Sequence, residues 1–350
     1  YSENQMIICY LRSSSWGTYD MCEQKYYMNY VLGKPDKDNA KAVMGTAVHK
    51  NMEVLAKIKL ANRNGERVVL DDELGEIDVD IELPDLHDRV FDKYDAEYPG
   101  LMDKEGNPRK KTLEWTNKAL EYQNGSYNPE NQDIEAVEEF FDFEIKQDWA
   151  KYEYEIDGEK LTGSLRLRGT VDLILKEDDF YYHICDYKTG RRWCWATDQV
   201  KTYEKLCKDK QLRLYYYALR NKYPDRDFFV SIYYINDYKI DGKLVKGGVF
   251  TMAFDDEDYK QAENDIRKKF EEIRDNDRPK LLSNTCSHWK CKYLCAYSQI
   301  DPEIDPKKPM CMAIREQIVE LGIDSVTAKH GDLSKLNVYT GGGKSNVKVT

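Results

Sequence analysis

Two neighbouring runs of strand-forming residues do most to limit what this chain can fold into. Residues 164–176 and 180–188 are rich in Leu, Ile, Val and Tyr, with Asp178 and Asp179 between them. Such side chains fit a pleated, half-buried surface, and adjacent aspartates are turn chemistry. The pattern predicts a β-hairpin. Strand side chains alternate faces, so Asp186 and Lys188 point the same way. The first run carries Gly169, Thr170, Val171 and Asp172. Pairing across the turn brings Asp172 and Asp186 to the same end of the hairpin.

Further strands are predicted at 151–157, 228–236 and 247–254. Helical spacing of apolar residues predicts helices at 39–62, 110–124, 131–150, 198–222 and 256–275, and residues 14–31 read as a turn and an aromatic-rich helix. The acidic stretch 63–108 holds Pro84, Pro99 and Pro108 and reads as a loop or partly helical insertion. The expected class is α/β: one central mixed sheet flanked by helices, with a helical N-terminal region. Residues 1–312 are expected to form one domain with an insertion at about 63–150. Residues 313–350 read as a short helix and a tail made flexible by Gly341, Gly342 and Gly343.

The formal net charge of −11 argues against a module that simply coats nucleic acid, which is usually basic. It leaves room for an enzyme that meets nucleic acid through a local patch. The 27 tyrosines read mainly as packing, with base stacking as the alternative. No run of 18 apolar residues exists and no secretory leader is visible. An intracellular protein, cytoplasmic or nucleoid-associated and without a membrane partner, is expected. A short leader removed before Tyr1 is compatible with this.

Two carboxylates with backbone or water oxygens suit Mg²⁺ or Mn²⁺. Such an ion can activate water and offset charge building on a phosphodiester, and a lysine beside it can orient or deprotonate that water and stabilise the phosphate. The tripeptide alone proves little. Asp-Tyr-Lys begins at Asp186, Asp237 and Asp258. Asp237 precedes a turn, and Asp258 lies near a helix start where acidic residues favour the dipole. Only the first copy has Gly-x-x-Asp upstream on a neighbouring strand and a helix with Gln211 and Tyr215 after it.

The ordered set Gly45-x-x-x-His49, Gly169-x-x-Asp172, Asp186-x-Lys188 and Gln211-x-x-x-Tyr215 resembles the RecB-like branch of the PD-(D/E)XK nucleases. That resemblance implies a metal-dependent DNA nuclease of restriction-endonuclease-like fold. It implies Asp172, Asp186 and Lys188 at the catalytic centre and His49 as a further ligand of Mg²⁺ or Mn²⁺. It also implies Gln211 and Tyr215 as residues that hold DNA and the active site.

Cys286, Cys291 and Cys295 are spaced C-x4-C-x3-C, and Cys22 stands near the other end of the chain. Four thiolates suit a [4Fe–4S] cluster and suit structural zinc equally. One distant cysteine plus a C-terminal trio resembles the iron–sulfur subset of RecB-like nucleases, such as the AddB nuclease domain and the four-cysteine nucleases of CRISPR adaptation. The resemblance implies a [4Fe–4S] cluster on Cys22, Cys286, Cys291 and Cys295. The family trio is usually C-x2-C-x5-C, whereas Trp289 stands at the usual middle position here, and Glu23 replaces the common proline after the first cysteine. His288 and Cys311 are competing ligands. Cys185, Cys194 and Cys207 read as packing.

The expected function is degradation of DNA, single-stranded by preference and from ends, in recombination, repair or replication. A helicase or recombination protein is the expected partner. Gly341–Ser345 imitates only the end of a nucleotide-binding loop, so any motor would be another chain. The alternatives are a non-catalytic module that binds DNA ends or a partner, and a zinc-stabilised nuclease acting on RNA.

Overall fold

The computed structural model describes residues 5–156 and 158–331. The glycines at 341–343 lie outside the described residues. Six strands form the central sheet: β1 (Tyr10–Leu11), β2 (Ile134–Glu144), β3 (Arg166–Lys176), β4 (Tyr181–Lys188), β5 (Asp227–Tyr234) and β6 (Gly248–Phe254). β3 and β4 are the predicted hairpin. Asp178 closes its turn by accepting from Phe180 N–H at 2.6 Å and Tyr181 N–H at 2.8 Å.

β3 has three partners. β2 runs antiparallel along its whole length and so occupies one edge. The other edge is shared: β1 pairs parallel at Arg166 and Leu167, and β4 pairs antiparallel at Leu173–Lys176. β4 continues into parallel pairing with β5, and β5 into antiparallel pairing with β6. Parallel neighbours need a crossover, which here includes a helix. The sheet is therefore mixed and the class is α/β, as expected.

Helices cover the sheet. On one side lies α1 (Ala40–Arg63), whose Ala56 packs with Leu173, Leu175 and Cys185, and whose Val48 and Met52 pack with Tyr187 and Tyr233. Asn39 starts this helix by accepting from Lys41 N–H at 2.9 Å. On the other side α2 (Lys210–Lys222) and α3 (Asp256–Arg274) bury Leu212, Leu219, Ile266 and Phe270 with Ile184, Val230 and Ile232. Most of the tyrosines in these helices and strands are core residues.

Two predicted elements need correction, and a third, left open between two readings, is decided. Residues 131–150 are not a helix: β2 occupies 134–144 as a sheet edge. Its acidic-aromatic spacing also fits a helical face, and pairing with β3 some 30 residues away decides the matter. Of the two readings of residues 63–108, the partly helical one is right and the loop is not. These residues form a hairpin, Val68–Asp71 with Gly75–Asp78, and a helix, Leu83–Glu97. Pro84 sits in the first turn of that helix, where proline starts a helix rather than breaking it. The hairpin is fastened to α1 by Lys50 and Lys57, which both reach the buried Asp71 at 2.8 Å. The predicted helix 198–222 is broken: Asp209 caps α2, accepting from Gln211 N–H at 2.9 Å.

Gly169 on β3 leaves no room for a side chain. A Cβ there would lie 2.6 Å from Phe141 Cζ and 3.3 Å from Tyr215 Cε1. Alanine in place of a strand glycine ordinarily stabilises. Gly169→Ala should instead cost roughly 1–3 kcal/mol through overpacking. Denaturant unfolding checks the sign: a stability equal to or above wild type would remove this account of the glycine.

Among the described residues, no helix is long and apolar enough to cross a membrane.

Candidate active site

The β3–β4 ladder ends at the pair Leu173–Cys185, one step short of Asp172 and Asp186. Beyond it Asp172 Oδ2 accepts from Tyr187 N–H at 2.7 Å, so a side chain takes the ladder's place. The strands part where the two carboxylates stand. The helix α1 supplies His49, whose Nδ1 is 3.2 Å from Asp172 Oδ1. Gly45, one turn earlier, explains how the helix comes so close: a Cβ there would lie 2.6 Å from Thr189 Oγ1.

Asp186 is 2% exposed, and Lys188 Nζ lies 2.6 Å from its Oδ2. That oxygen has no well-angled hydrogen bond despite the short ion pair. Gln211 on α2 donates to Tyr215 Oη at 2.7 Å and, at 3.5 Å, to Asp186 Oδ1. The six residues singled out from sequence, His49, Asp172, Asp186, Lys188, Gln211 and Tyr215, therefore form one connected group. The other two Asp-Tyr-Lys copies have structural roles. Asp237 accepts from Gly247 N–H at 2.8 Å, and Asp258 belongs to the capping box of α3.

Burial raises the Asp186 carboxyl above the ordinary carboxylate value, against the pull of Lys188 and with the help of Asp172. Burial acts the same way on Asp172, but His49 and Lys188 outweigh it and hold that carboxyl low. Burial would lower His49, and the Asp172 charge overrides it to raise the imidazole. Burial would also lower Lys188, but Asp186 holds the ammonium well above its usual range. Asp186 is buried, whereas the side chains of His49, Asp172 and Lys188 are 27%, 15% and 29% exposed. Two carboxylates and an imidazole are groups that can ligate a divalent cation, while the Lys188 ammonium beside them supplies charge and no lone pair.

Sequence reasoning missed Glu138. On β2, Val137 pairs with Leu173 and Glu139 with Val171, which sets Glu138 opposite Asp172. Its backbone is left-handed at φ 47°, a strained state for glutamate. Burial and the nearby Asp172 and Glu53 raise its carboxyl. The sequence signal was the run Glu138-Glu139, hidden by the helical reading of β2.

From Lys188 and Gln211 a groove of about 1,070 Å³ runs outward. Six lysines line it (25, 188, 201, 205, 208 and 210) against three acidic residues, together with Trp16, Trp193 and Trp195. Lys201 and Lys210 are paired with Asp209 and Asp20, each at 2.5 Å. Among the described residues Lys205 and Lys208 have no carboxylate within 4.0 Å. The groove is thus locally basic in an acidic chain.

A second group is built from cysteines. Cys22, Cys286, Cys291 and Cys295 line one small cavity, and Cys311 joins them. Cys22 caps a short helix by accepting from Lys25 N–H at 3.4 Å. Lys290 ties this region to the groove wall, donating to Trp195 C=O at 2.5 Å and pairing with Asp198 at 2.9 Å. Among the described residues no three His, Cys, Asp or Glu side chains are already arranged to close on one ion. Within the cysteine-rich segment 286–295, Trp289–Leu294 is a short helix.

The profile of the PD-(D/E)XK nuclease superfamily matches residues 13–300. Among solved structures, a crystal structure from Eubacterium rectale, named provisionally as an exonuclease, is 12% identical with a TM-score of 0.44. The alignment covers 85% of this chain and 93% of that one. The structure of SSO0001 is 16% identical with a TM-score of 0.24, covering 72% of this chain and 95% of its own. These likenesses are too slight to carry an argument. No curated protein matches the chain. The profile match takes in most of the chain and every residue of the connected group around Asp186; the chain belongs to the PD-(D/E)XK nuclease superfamily.

Proposed function

We propose that the chain is a metal-dependent DNA nuclease that hydrolyses phosphodiester bonds, working from ends and preferring single strands, in recombination, repair or replication. What supports this reading is that Lys188 and Gln211, both of which touch Asp186, line the groove of lysines and tryptophans, with His49 and Asp172 paired beside them. Lysines track a phosphate backbone, and tryptophans accept stacked bases without sequence preference.

His49, Asp172 and Asp186 would hold Mg²⁺ or Mn²⁺. When bound, the ion supplies positive charge that polarises the scissile phosphate and the attacking water. Asp172 is held in place by the Tyr187 N–H. Lys188, protonated against Asp186, offers an ammonium to the phosphate rather than a base to the water. Gln211 links Asp186 to Tyr215, so α2 fixes the carboxylate's orientation.

Incubation with matched linear and circular single-stranded DNA, and with a linear RNA of the same sequence, in Mn²⁺ tests the reading. Linear DNA should disappear first and circular DNA should persist. Persistence of both with intact protein points instead to a DNA-end-binding module; equal loss of both removes the end preference, and loss of RNA alone removes the DNA assignment.

Metal binding should depend on pH through His49. Only the neutral imidazole ligates, and its pKa is raised above the ordinary 6.5. Affinity for Mn²⁺ is therefore full at high pH and falls as pH drops through that raised value, by up to about tenfold per unit from this group. His49→Ala should bind more weakly and with a shallower pH slope. An unchanged slope would remove His49 from the ligand set.

The cysteine-lined cavity is proposed to hold a thiophilic metal, either the [4Fe–4S] cluster that the resemblance implies or zinc. Its support is the convergence of thiols from both ends of the domain.

A further inference from the structure

We infer that Cys311 is a ligand of the thiolate centre, together with Cys22, Cys286 and Cys295, in the position that spacing alone gives to Cys291. This rests on the reading of the cavity as a metal centre. Cys311 lies beyond residue 300, outside the segment that the superfamily profile matches. It is the second residue of a helix, Met310–Leu321, and is 7% exposed. Its Sγ is 3.2 Å from Cys286 Sγ.

The chain beyond residue 300 is folded back to make this contact. Ile300 and Pro309 form an isolated antiparallel bridge, and Met310 N–H donates to Gln299 C=O at 2.8 Å. The loop between is thereby closed, and Cys311 is carried onto the cavity beside Cys286. Cys291 lines the same cavity, but no sulfur contact like that of Cys311 with Cys286 is seen for it among the described residues. It lies on the short helix Trp289–Leu294 and is less buried than Cys311.

The sulfur spacing also bears on the metal. Two thiolates on one tetrahedral zinc, each at about 2.3 Å, lie about 3.8 Å apart. Cys286 and Cys311 need to open only slightly to reach that. In a four-iron cube each cysteine ends on its own iron, which sets the sulfurs farther apart. The Cys286–Cys311 spacing therefore fits two ligands of a single ion such as zinc better than two corners of a cube. A helix that reaches the centre through Cys311 would staple the C-terminal end of the described chain to Cys22 near the other end.

The test uses wild type, Cys311→Ser, Cys291→Ser and Cys311→His, purified without oxygen or chelator. Iron and zinc are counted per chain by elemental mass spectrometry, and thermal unfolding is followed in parallel. Cys311→Ser should lose at least about tenfold of the bound metal and unfold at lower temperature. Cys291→Ser should keep its metal. Cys311→His keeps a ligand atom and should keep zinc, which separates ligation from simple packing. Retention of metal by Cys311→Ser with loss by Cys291→Ser would overturn the inference and leave the centre itself standing. A wild-type chain with neither iron nor zinc would sink the metal-centre reading. A wild-type mass about 2 Da low under non-reducing conditions, restored in Cys311→Ser, would show a disulfide to Cys286 and overturn the inference.

Discussion

Asp186→Ala and Lys188→Ala will each lower DNA cleavage in Mg²⁺ or Mn²⁺ by at least about 10³-fold while the protein stays folded. Asp186 is buried at the end of β4, and its carboxylate faces Lys188 and Gln211. Alanine removes the charge that would hold the cation. Lys188→Ala removes the ammonium 2.6 Å from it. Asp186→Asn keeps the shape and loses the charge, so it should behave as alanine does in cleavage. Two controls come from the same tripeptide. Asp237→Ala and Asp258→Ala remove a loop contact and a helix cap, and should leave cleavage near wild type. Circular dichroism confirms that each variant is folded. Wild-type cleavage by folded Asp186→Ala or Lys188→Ala would show that the assigned centre is wrong.

Reversing two charges in the groove will weaken DNA binding and spare the chemistry. Lys205 and Lys208 are the lysines of this groove that have no carboxylate within 4.0 Å among the described residues. Neither is within the connected group at the active site. Each phosphate contact that is lost removes one released counterion from binding. In Lys205→Glu with Lys208→Glu, kcat/KM on single-stranded DNA should fall by about 10–100-fold near 0.1 M salt. The slope of log affinity against log salt should flatten by roughly 1–2. kcat at saturating DNA should change far less. An unchanged salt slope would mean that the backbone runs elsewhere.

The hairpin and its carboxylates were legible in the sequence because the signal is local. β3, its turn and β4 are contiguous, and strand chemistry, turn chemistry and the Asp-x-Lys spacing agree. His49 and Gln211 were legible only through ordered spacing, since nothing local says which face of a helix meets a sheet. Gly45 and Gly169 show what enforces that meeting: each removes the side chain that would hold two elements apart. β2 was not legible. Its partner β3 lies beyond an intervening hairpin, Lys151–Ile156 with Glu159–Ser164, and its acidic residues also suit a helix face, so Glu138 was lost with it. The helix at Leu83–Glu97 was hidden because Pro84 looks the same at a helix start as at a turn. The place of Cys311 depends on the fold-back at Ile300–Pro309, which spacing does not encode.

Cleavage by this centre requires that the residues at the parted end of β3 and β4 hold a divalent ion. Mn²⁺ binding without DNA, followed by electron paramagnetic resonance in wild type and in Asp172→Asn with Asp186→Asn, measures this. Wild type should bind Mn²⁺, and the folded double variant should bind it at least about tenfold more weakly. Undiminished binding by the double variant, or none by wild type, would contradict the proposed centre.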